Sequence, residues 1–270
     1  MCIRDRMNIM AEFIKIGEEI VPKPKLDGIS YDLVNGKVYD LLYDRFEDKS
    51  YLKENGELNM PKKLYKLEDD DKFINRILTY FNSENSGKTT GALLSGTKGT
   101  GKTMLSKRIA LESNLPIIVV STKHPMNCLN KFFKSFTVPV VIIFDEIEKN
   151  EPFWNTRDLL GFLDGVESTA KKLVLMTCND TCNIDKNLFD RCSRIRYYKE
   201  YKADSNSVFI RSMAADKGVK NIDEVVTFIT EKMKIKSSDN ISSFLDEIVL
   251  FEDITLEEIA EVMNMSLTKE

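Results

Sequence analysis

Between Gly96 and Thr103 the chain reads GTKGTGKT, and this stretch with its flanks narrows the possible folds more than any other. A glycine stands five residues before a Gly-Lys-Thr triplet. The apolar run Ala92–Ser95 leads in, and MLSKRIALES leads out with helical spacing. A phosphate-binding loop needs that order: a buried strand, a turn that aims successive backbone N–H groups at one anion, and the positive end of a helix. Lys102 would reach the β- and γ-phosphates of a nucleotide, and Thr103 would offer its hydroxyl to Mg²⁺. Gly96, Thr97, Lys98, Gly99, Thr100, Gly101, Lys102, Thr103 and Met104 are therefore the candidate nucleotide-binding set. Gly-Lys-Thr also occurs at Gly87–Thr89, but there Asn82 replaces the leading glycine and NSENS replaces the strand. Gly91 would interrupt the helix which that copy should open, so residues 86–90 are expected to form a solvent loop.

The runs GALLSG, PIIVVS, VPVVIIFDE, KLVLMTCN and RIRYY alternate with segments of helical periodicity. Runs rich in Val and Ile, bounded by turns and separated by helices, predict an α/β fold with a parallel sheet covered on both faces. VVIIFDE ends in Asp145 and Glu146. Carboxylates at the C-terminal end of such a strand fall in the crevice where ligands of open α/β sheets bind. Neighbouring strand residues point to opposite faces, so the two acids have different roles. Asp145 suits the water shell of Mg²⁺, and Glu146 the polarising of an attacking water. KLVLMTCND ends in Thr177 and Asn179, whose amide is either an orienting group for that water or a turn residue. Arg191, Arg194 and Arg196 follow; on their own they would be a basic strand edge.

Hydrophobic residues make up 42% and charged residues 30% of the 270, enough apolar material for a real core. A net charge of −4 and a pI near 5.4 argue against broad electrostatic binding to nucleic acid or anionic membranes, though not against a local basic path. The longest apolar run, Val138–Phe144, is far short of the roughly 20 residues a membrane span needs, and no export signal is visible. A cytoplasmic protein without membrane contact is expected. Cys128, Cys178, Cys182 and Cys192 do not have zinc-site spacing relative to one another or to His124, the one histidine, so reduced thiols are expected.

The first six residues, MCIRDR, back-translate to a sequence resembling the end of a transposase sequencing-library adapter, and they are set apart from the fold. Residues 7–67 read as a small β-rich appendage, in which Asn35-Gly36 and Asn55-Gly56 are expected to be tight hairpin turns and Pro61 marks the end. DDKFINRILTYF, from Asp70, spaces its apolar residues as an amphipathic helix. Residues 68–200 form the expected nucleotide-binding α/β domain. After Tyr201 the strand signal stops, and 201–270 read as a helical lid, with Asp204 and Asp239 as caps and Gly218 where one helix stops.

Taken in order, the motifs at Gly96–Thr103, Ile142–Glu146, Leu159–Gly165 (LLGFLDG), Asn179 and the arginine pair resemble those of the AAA+ ATPases, and of the central AAA clade in particular, over residues 68–265. The appendage and general pattern are also similar to uncharacterised ATPases of tailed phages. The resemblance implies a P-loop NTPase that binds ATP and Mg²⁺. Glu146 and Asn179 would be its catalytic residues, and Arg191 and Arg194 the arginines that one subunit inserts into its neighbour's ATP site. It also implies a homo-oligomeric ring, usually a hexamer, whose central loops pull on a substrate. Ser237-Ser238-Asp239 stands where that clade often has Gly-Ala-Asp, and the lid's one arginine, Arg211, lies outside that segment. The pore-facing loop would be STKHPMNCLNKFFKS. There Met126, beside His124 and Pro125, would grip apolar side chains, and Lys123, Lys131 and Lys134 would line a path for a polyanion, with Phe132 and Phe133 buried. Three functions stay open. Remodelling of a protein substrate is favoured by the paired arginines. A nucleic-acid motor or loader is supported by the lysines and opposed by the acidic pI. A non-hydrolysing switch would need neither Glu146 nor Asn179.

Overall fold

Residues 13–22, 32–61, 69–121, 124–150, 156–164, 170–179, 188, 194–201, 206–233, 238–251 and 254–267 are described in the computed structural model of the protein. Their strands are β1 (Phe13–Ile16), β2 (Glu19–Pro22), β3 (Val38–Asp44), β4 (Lys49–Glu54), β5 (Thr89–Gly96), β6 (Ile117–Val120), β7 (Val140–Phe144), β8 (Lys172–Cys178) and β9 (Tyr197–Tyr201). They join in one sheet of order β1-β2-β4-β3-β6-β7-β8-β5-β9. The five strands from β6 to β9 in that order are mutually parallel, as the Val- and Ile-rich runs predict.

Successive residues of each central strand enter different cores, the two-residue period of a sheet covered on both sides. Leu93, Ile142, Phe144, Val174 and Met176 pack with α3 (Met126–Lys134) and α4 (Thr156–Asp164). Ala92, Leu94, Val141, Ile143, Leu173 and Leu175 pack with α1 (Asp70–Asn82) and α2 (Lys102–Glu112). On α1 the buried apolar residues are Ile74, Ile77 and Phe81, one stripe of the expected amphipathic helix. Burying each stabilises by about 1.5–3 kcal/mol. A third core, including Ile210, Phe228, Ile229, Phe244 and Leu245, holds together α5 (Asn206–Lys217), α6 (Ile222–Glu231), α7 (Ser238–Leu250) and α8 (Leu256–Val262). Phe228 and Phe244 stack there with their rings nearly parallel. Gly218, at φ +80°, ends α5 as expected. Asp239 lies inside the first turn of α7 rather than ahead of it, and Asp204 falls outside the described residues.

The strand-rich N-terminal segment extends this same sheet. β3 pairs in parallel with β6, from Val38 opposite Ile117 to Leu41 opposite Val120, and its other edge carries β4, β2 and β1 in antiparallel order. Its turns differ from the expectation. The β3–β4 hairpin closes at 45–48, where the Asp44 carboxylate accepts from the N–H groups of Phe46 (2.8 Å) and Glu47 (3.3 Å), and Asp48 takes φ +49°. An Asx turn with a left-handed aspartate does there what Asn-Gly does elsewhere. The two Asn-Gly pairs instead bend the chain at the outer ends of the hairpin: Gly36 N donates to Leu115 O, and Val38 N to Gly56 O. The expected solvent loop at 86–90 is also shorter than the sequence indicated, because Thr89 and Thr90 are buried residues of β5.

One position tests the sheet directly. A methyl group on Gly91 would lie 1.9 Å from the carbonyl oxygen of Arg194, against which β5 packs as β9 begins. Gly91→Ala is expected to lower stability by about 1–3 kcal/mol in urea denaturation, through a forced backbone shift. Gly87→Ala, whose nearest neighbour would be Thr89 O at 3.8 Å, should change it by less than about 0.5 kcal/mol. Equal midpoints for the two variants would contradict the β5–β9 approach.

Candidate functional site

β5 ends at Gly96 and α2 begins at Lys102, so the loop between them joins a strand end to a helix start. Gly99 and Gly101 hold φ values of +80° and +94°, which a side chain would resist. α2 has no side-chain cap and no acidic residue in its first turn, so no side chain competes with an anion for its leading N–H groups. Lys102 is only 5% exposed, and its ammonium donates to Gly96 O at 2.6 Å and Thr97 O at 2.8 Å. Burial pulls its pKa below the usual lysine value; Cys178 and the carboxylates of Glu148, Glu146 and Asp145 oppose that fall. Thr100 closes the loop with a bond to Thr97 O, Lys98 is exposed in it, and Thr103 and Met104 are half-buried in the first turn of α2. Lys88, of the other Gly-Lys-Thr, lies at the opposite end of β5, where its carbonyl accepts from Lys172 N.

β8 lies between β5 and β7, and the three strands end at one level: Leu94 is opposite Thr177, Ser95 opposite Cys178, and Phe144 opposite Met176. The polar residues that follow therefore converge. Thr103 Oγ1 donates to Asp145 Oδ1 at 3.0 Å, and Thr177 Oγ1 donates to the same oxygen at 2.5 Å. The hydroxyl of Thr177, which is fully buried, also accepts from the backbone N–H of Glu146 at 2.8 Å. Glu146 itself sits at φ +51°, a conformation that costs a side-chain-bearing residue about 1–2 kcal/mol. Its Oε1 accepts from Asn179 Nδ2 at 2.9 Å and its Oε2 is paired with Lys149. These bonds, with Lys149 first and Asn179 second, hold its carboxyl below the ordinary glutamate range against the effect of burial. Asn179 is also bonded twice to Glu148.

The hydroxyl of Thr103 and the carboxylate of Asp145 are hard oxygen donors on facing elements, and they fit Mg²⁺. Asp145, Glu146 and Asn179 are thus brought together beside the loop. Thr177, Glu148 and Lys149 belong to the same cluster; the sequence marks Thr177 at the strand end without a role and does not single out the other two. A lone hydroxyl near the end of an otherwise apolar strand was the available signal for Thr177. Nothing in the sequence beyond nearness to Glu146 marks the other two.

Arg194 lies away from this cluster. Arg194 donates from Nε to Asp164 Oδ1 at 2.9 Å and from Nη2 to Asp164 Oδ2 at 3.1 Å, a two-pronged pair largely shielded from solvent. It abuts Gly91, whereas the phosphate loop starts at Gly96. Five strand residues separate these levels by about 17 Å, beyond the reach of an arginine side chain. Arg191, Lys123, Cys182 and Cys192 lie outside the described residues. His124 and Met126 are 1% and 2% exposed, so the expected gripping loop is corrected: Met126 begins α3 and packs in the core. The apolar stripe of α3 (Met126, Leu129, Phe132 and Phe133) has to face the sheet, and this takes Met126 inward. Phe132 and Phe133 are buried as expected, and Lys131 and Lys134 are exposed. No helix among the described residues is long and apolar enough to cross a membrane.

Residues 92–200 match the profile of the family described as "ATPase family associated with various cellular activities (AAA)". No curated protein matches the chain. Among solved structures the chain is similar to a mutant of RuvB from Thermotoga maritima, at 17% identity and a TM-score of 0.53, over 74% of this chain and 70% of that one. A second mutant of the same RuvB gives 18% identity and a TM-score of 0.53, over 76% and 74%. At such identity the likeness speaks for the fold. With the uncapped loop, the inserted β8 and the convergent Asp145, Glu146 and Asn179 in view, the chain has the P-loop NTPase fold, and its residues 92–200 are similar to the AAA family of ATPases.

Proposed function

We propose that the chain binds ATP through residues 96–104 and hydrolyses it, in a ring of identical subunits that remodels a protein substrate. One observation carries the reading: an unbroken run of hydrogen bonds from Thr103 through Asp145 and Thr177 to Glu146 and Asn179. A site that only bound nucleotide would need the first half of that run. Lys102 and the N–H groups of α2 bind the phosphates. Thr103 and Asp145 would hold Mg²⁺, which when bound adds positive charge beside the phosphate oxygens. Glu146 takes a proton from the water that attacks the γ-phosphorus; the bond to the β–γ bridging oxygen breaks, and ADP leaves. Lys149 and Asn179 keep that carboxylate ionised, the form a base requires. Arg194 cannot reach its own chain's loop, so an arginine from this part of the fold would serve a neighbour. We assign that role to Arg191, while Arg194 is anchored on Asp164. A protein substrate is preferred to nucleic acid on the net charge of −4. Turnover measured with an unfolded protein, single-stranded DNA and duplex DNA in turn tests the choice: stimulation by either DNA alone would overturn it.

Lys102→Ala is expected to abolish binding of a fluorescent ATP analogue, and Lys88→Ala to leave it nearly unchanged, since the two lysines lie at opposite ends of β5. Comparable losses would refute the loop assignment.

Glu146→Gln should keep ATP binding and stop hydrolysis, because the amide is isosteric but is no base. Single-turnover hydrolysis within about threefold of wild type, ~0.7 kcal/mol in barrier, would exclude Glu146 as the base.

Arg191→Ala should spare nucleotide affinity in isolated subunits and lower turnover by about 10³–10⁵ if the residue acts across a subunit boundary. Mixing it with Lys102→Ala subunits should then restore part of the activity, since an intact loop meets an intact arginine at some boundaries. Normal turnover of Arg191→Ala, or no recovery on mixing, would remove the argument for a ring.

A further inference from the structure

Asn179 is held more tightly than a solvent-facing amide at a strand end would be. Its backbone N–H donates to Glu148 Oε1 at 2.9 Å and its Nδ2 donates to the same oxygen at 2.6 Å. Nδ2 donates again to Glu146 Oε1 at 2.9 Å. An amide nitrogen carries two hydrogens, so both are engaged. All the bonds of Asn179 among the described residues are donated from its two nitrogens, and none is accepted by Oδ1. Turning the amide over would set Oδ1 against two carboxylate oxygens with no donor between them, so its orientation is fixed. Asn179 consequently offers an acceptor away from the carboxylates. An acceptor can take a hydrogen from water; it cannot bond a phosphate oxygen.

Glu148 makes this arrangement at a cost to itself. Its Oε2 is buried and has no partner among the described residues, which for a carboxylate oxygen calls for an explanation. Helix or turn formation supplies none. What the carboxylate gains is one oxygen that accepts two charge-assisted bonds from the main chain and side chain of a single residue. Its charge also opposes the burial-driven fall in the pKa of Lys102, whose ammonium lies on the carbonyls of Gly96 and Thr97.

We propose that Glu148 is a positioning residue: by gripping Asn179 at backbone and side chain it keeps the amide nitrogen on Glu146 and the amide oxygen toward the attacking water. The inference rests on the reading of this site as one that hydrolyses ATP. It makes the alignment of base and water a property of three residues, of which Glu148 touches neither water nor phosphate. Glu148→Ala frees the amide to rotate, so the water loses its acceptor and Glu146 loses a bond to Oε1.

The test uses the full chain with ATP and Mg²⁺ and the variants Glu148→Ala, Glu148→Gln, Asn179→Ala and the double alanine. Glu148→Ala is expected to lower the single-turnover rate about 10- to 100-fold, with the dissociation constant of a fluorescent ATP analogue unchanged within about twofold. Glu148→Gln, which keeps one acceptor oxygen, should recover most of that loss, and the double variant should be no slower than the slower single. A wild-type rate in Glu148→Ala, a faster rate, or tighter ATP binding overturns the proposal, since the last two would mean that a freed Asn179 donates to phosphate. Urea denaturation of the same four proteins gives a reading independent of turnover. The midpoint shifts of the two single variants should not add in the double variant; additive shifts would show that Glu148 does not hold Asn179. If wild type binds ATP without turnover while the shifts remain non-additive, the grip stands and the hydrolysis reading falls. If Glu148→Ala does not fold, Glu148→Gln decides. Its amide is then expected to keep at least a tenth of the wild-type rate, and a rate as low as that of Asn179→Ala would overturn the proposal.

Discussion

A single buried hydroxyl, that of Thr177, joins the parts of this site. It donates to Asp145 and accepts from the backbone N–H of Glu146, so it sets the side chain of one acid and the main chain of the other. Without it, the N–H of Glu146 would be left unpaired beside β8, at about 1–3 kcal/mol. The left-handed turn at Glu146 would also lose the bond that compensates its strain. That turn lets consecutive residues at the end of β7 do different work: Asp145 faces Thr103 and Glu146 faces Asn179. Everything chemical in the site hangs on three strands ending at one level, and Thr177 is where they are tied.

The same sheet that gathers these groups keeps the arginines away from them. β9 runs parallel to β5 on the side opposite β8, and its approach at Gly91 is so close that no side chain fits between the strands. Arg194 is thereby fixed near the start of β5 while the phosphate loop occupies its end. Asp164, the last residue of α4, takes one edge of its guanidinium with both carboxylate oxygens. The geometry separates the loop at Gly96 from Arg194 by the length of a strand.

Much of this was legible in the sequence because it depends on local order along the chain. The loop from Gly96 to Thr103 needs its strand before and its helix after, and both could be read from adjacent residues. The alternation of apolar runs with helical segments gave the parallel sheet. The amphipathic spacing from Asp70 gave α1. Errors arose where a local signal had more than one use. Asn-Gly can close a hairpin or bend a strand end, and here the hairpin was closed by Asp44 and Asp48 instead. Met126 can line a pore or begin a buried stripe, and the four apolar residues of α3 decided for the core.

The chain's own order of residues thus determined that a strand, a glycine-bearing loop and a helix follow one another around Gly96–Thr103, and that carboxylates and an amide end the neighbouring strands. It did so because strand, loop and helix are each specified by residues adjacent in the chain. The tertiary structure alone decided that Thr177 binds both acids, that Glu148 and Lys149 hold Asn179 and Glu146, and that Arg194 is committed to Asp164. Those contacts span about 30 residues or more, apart from the Lys149 pair, and depend on strand order and register. Hydrogen bonds form between groups brought within about 3 Å, and only the packing of β8 between β5 and β7 brings these groups that near.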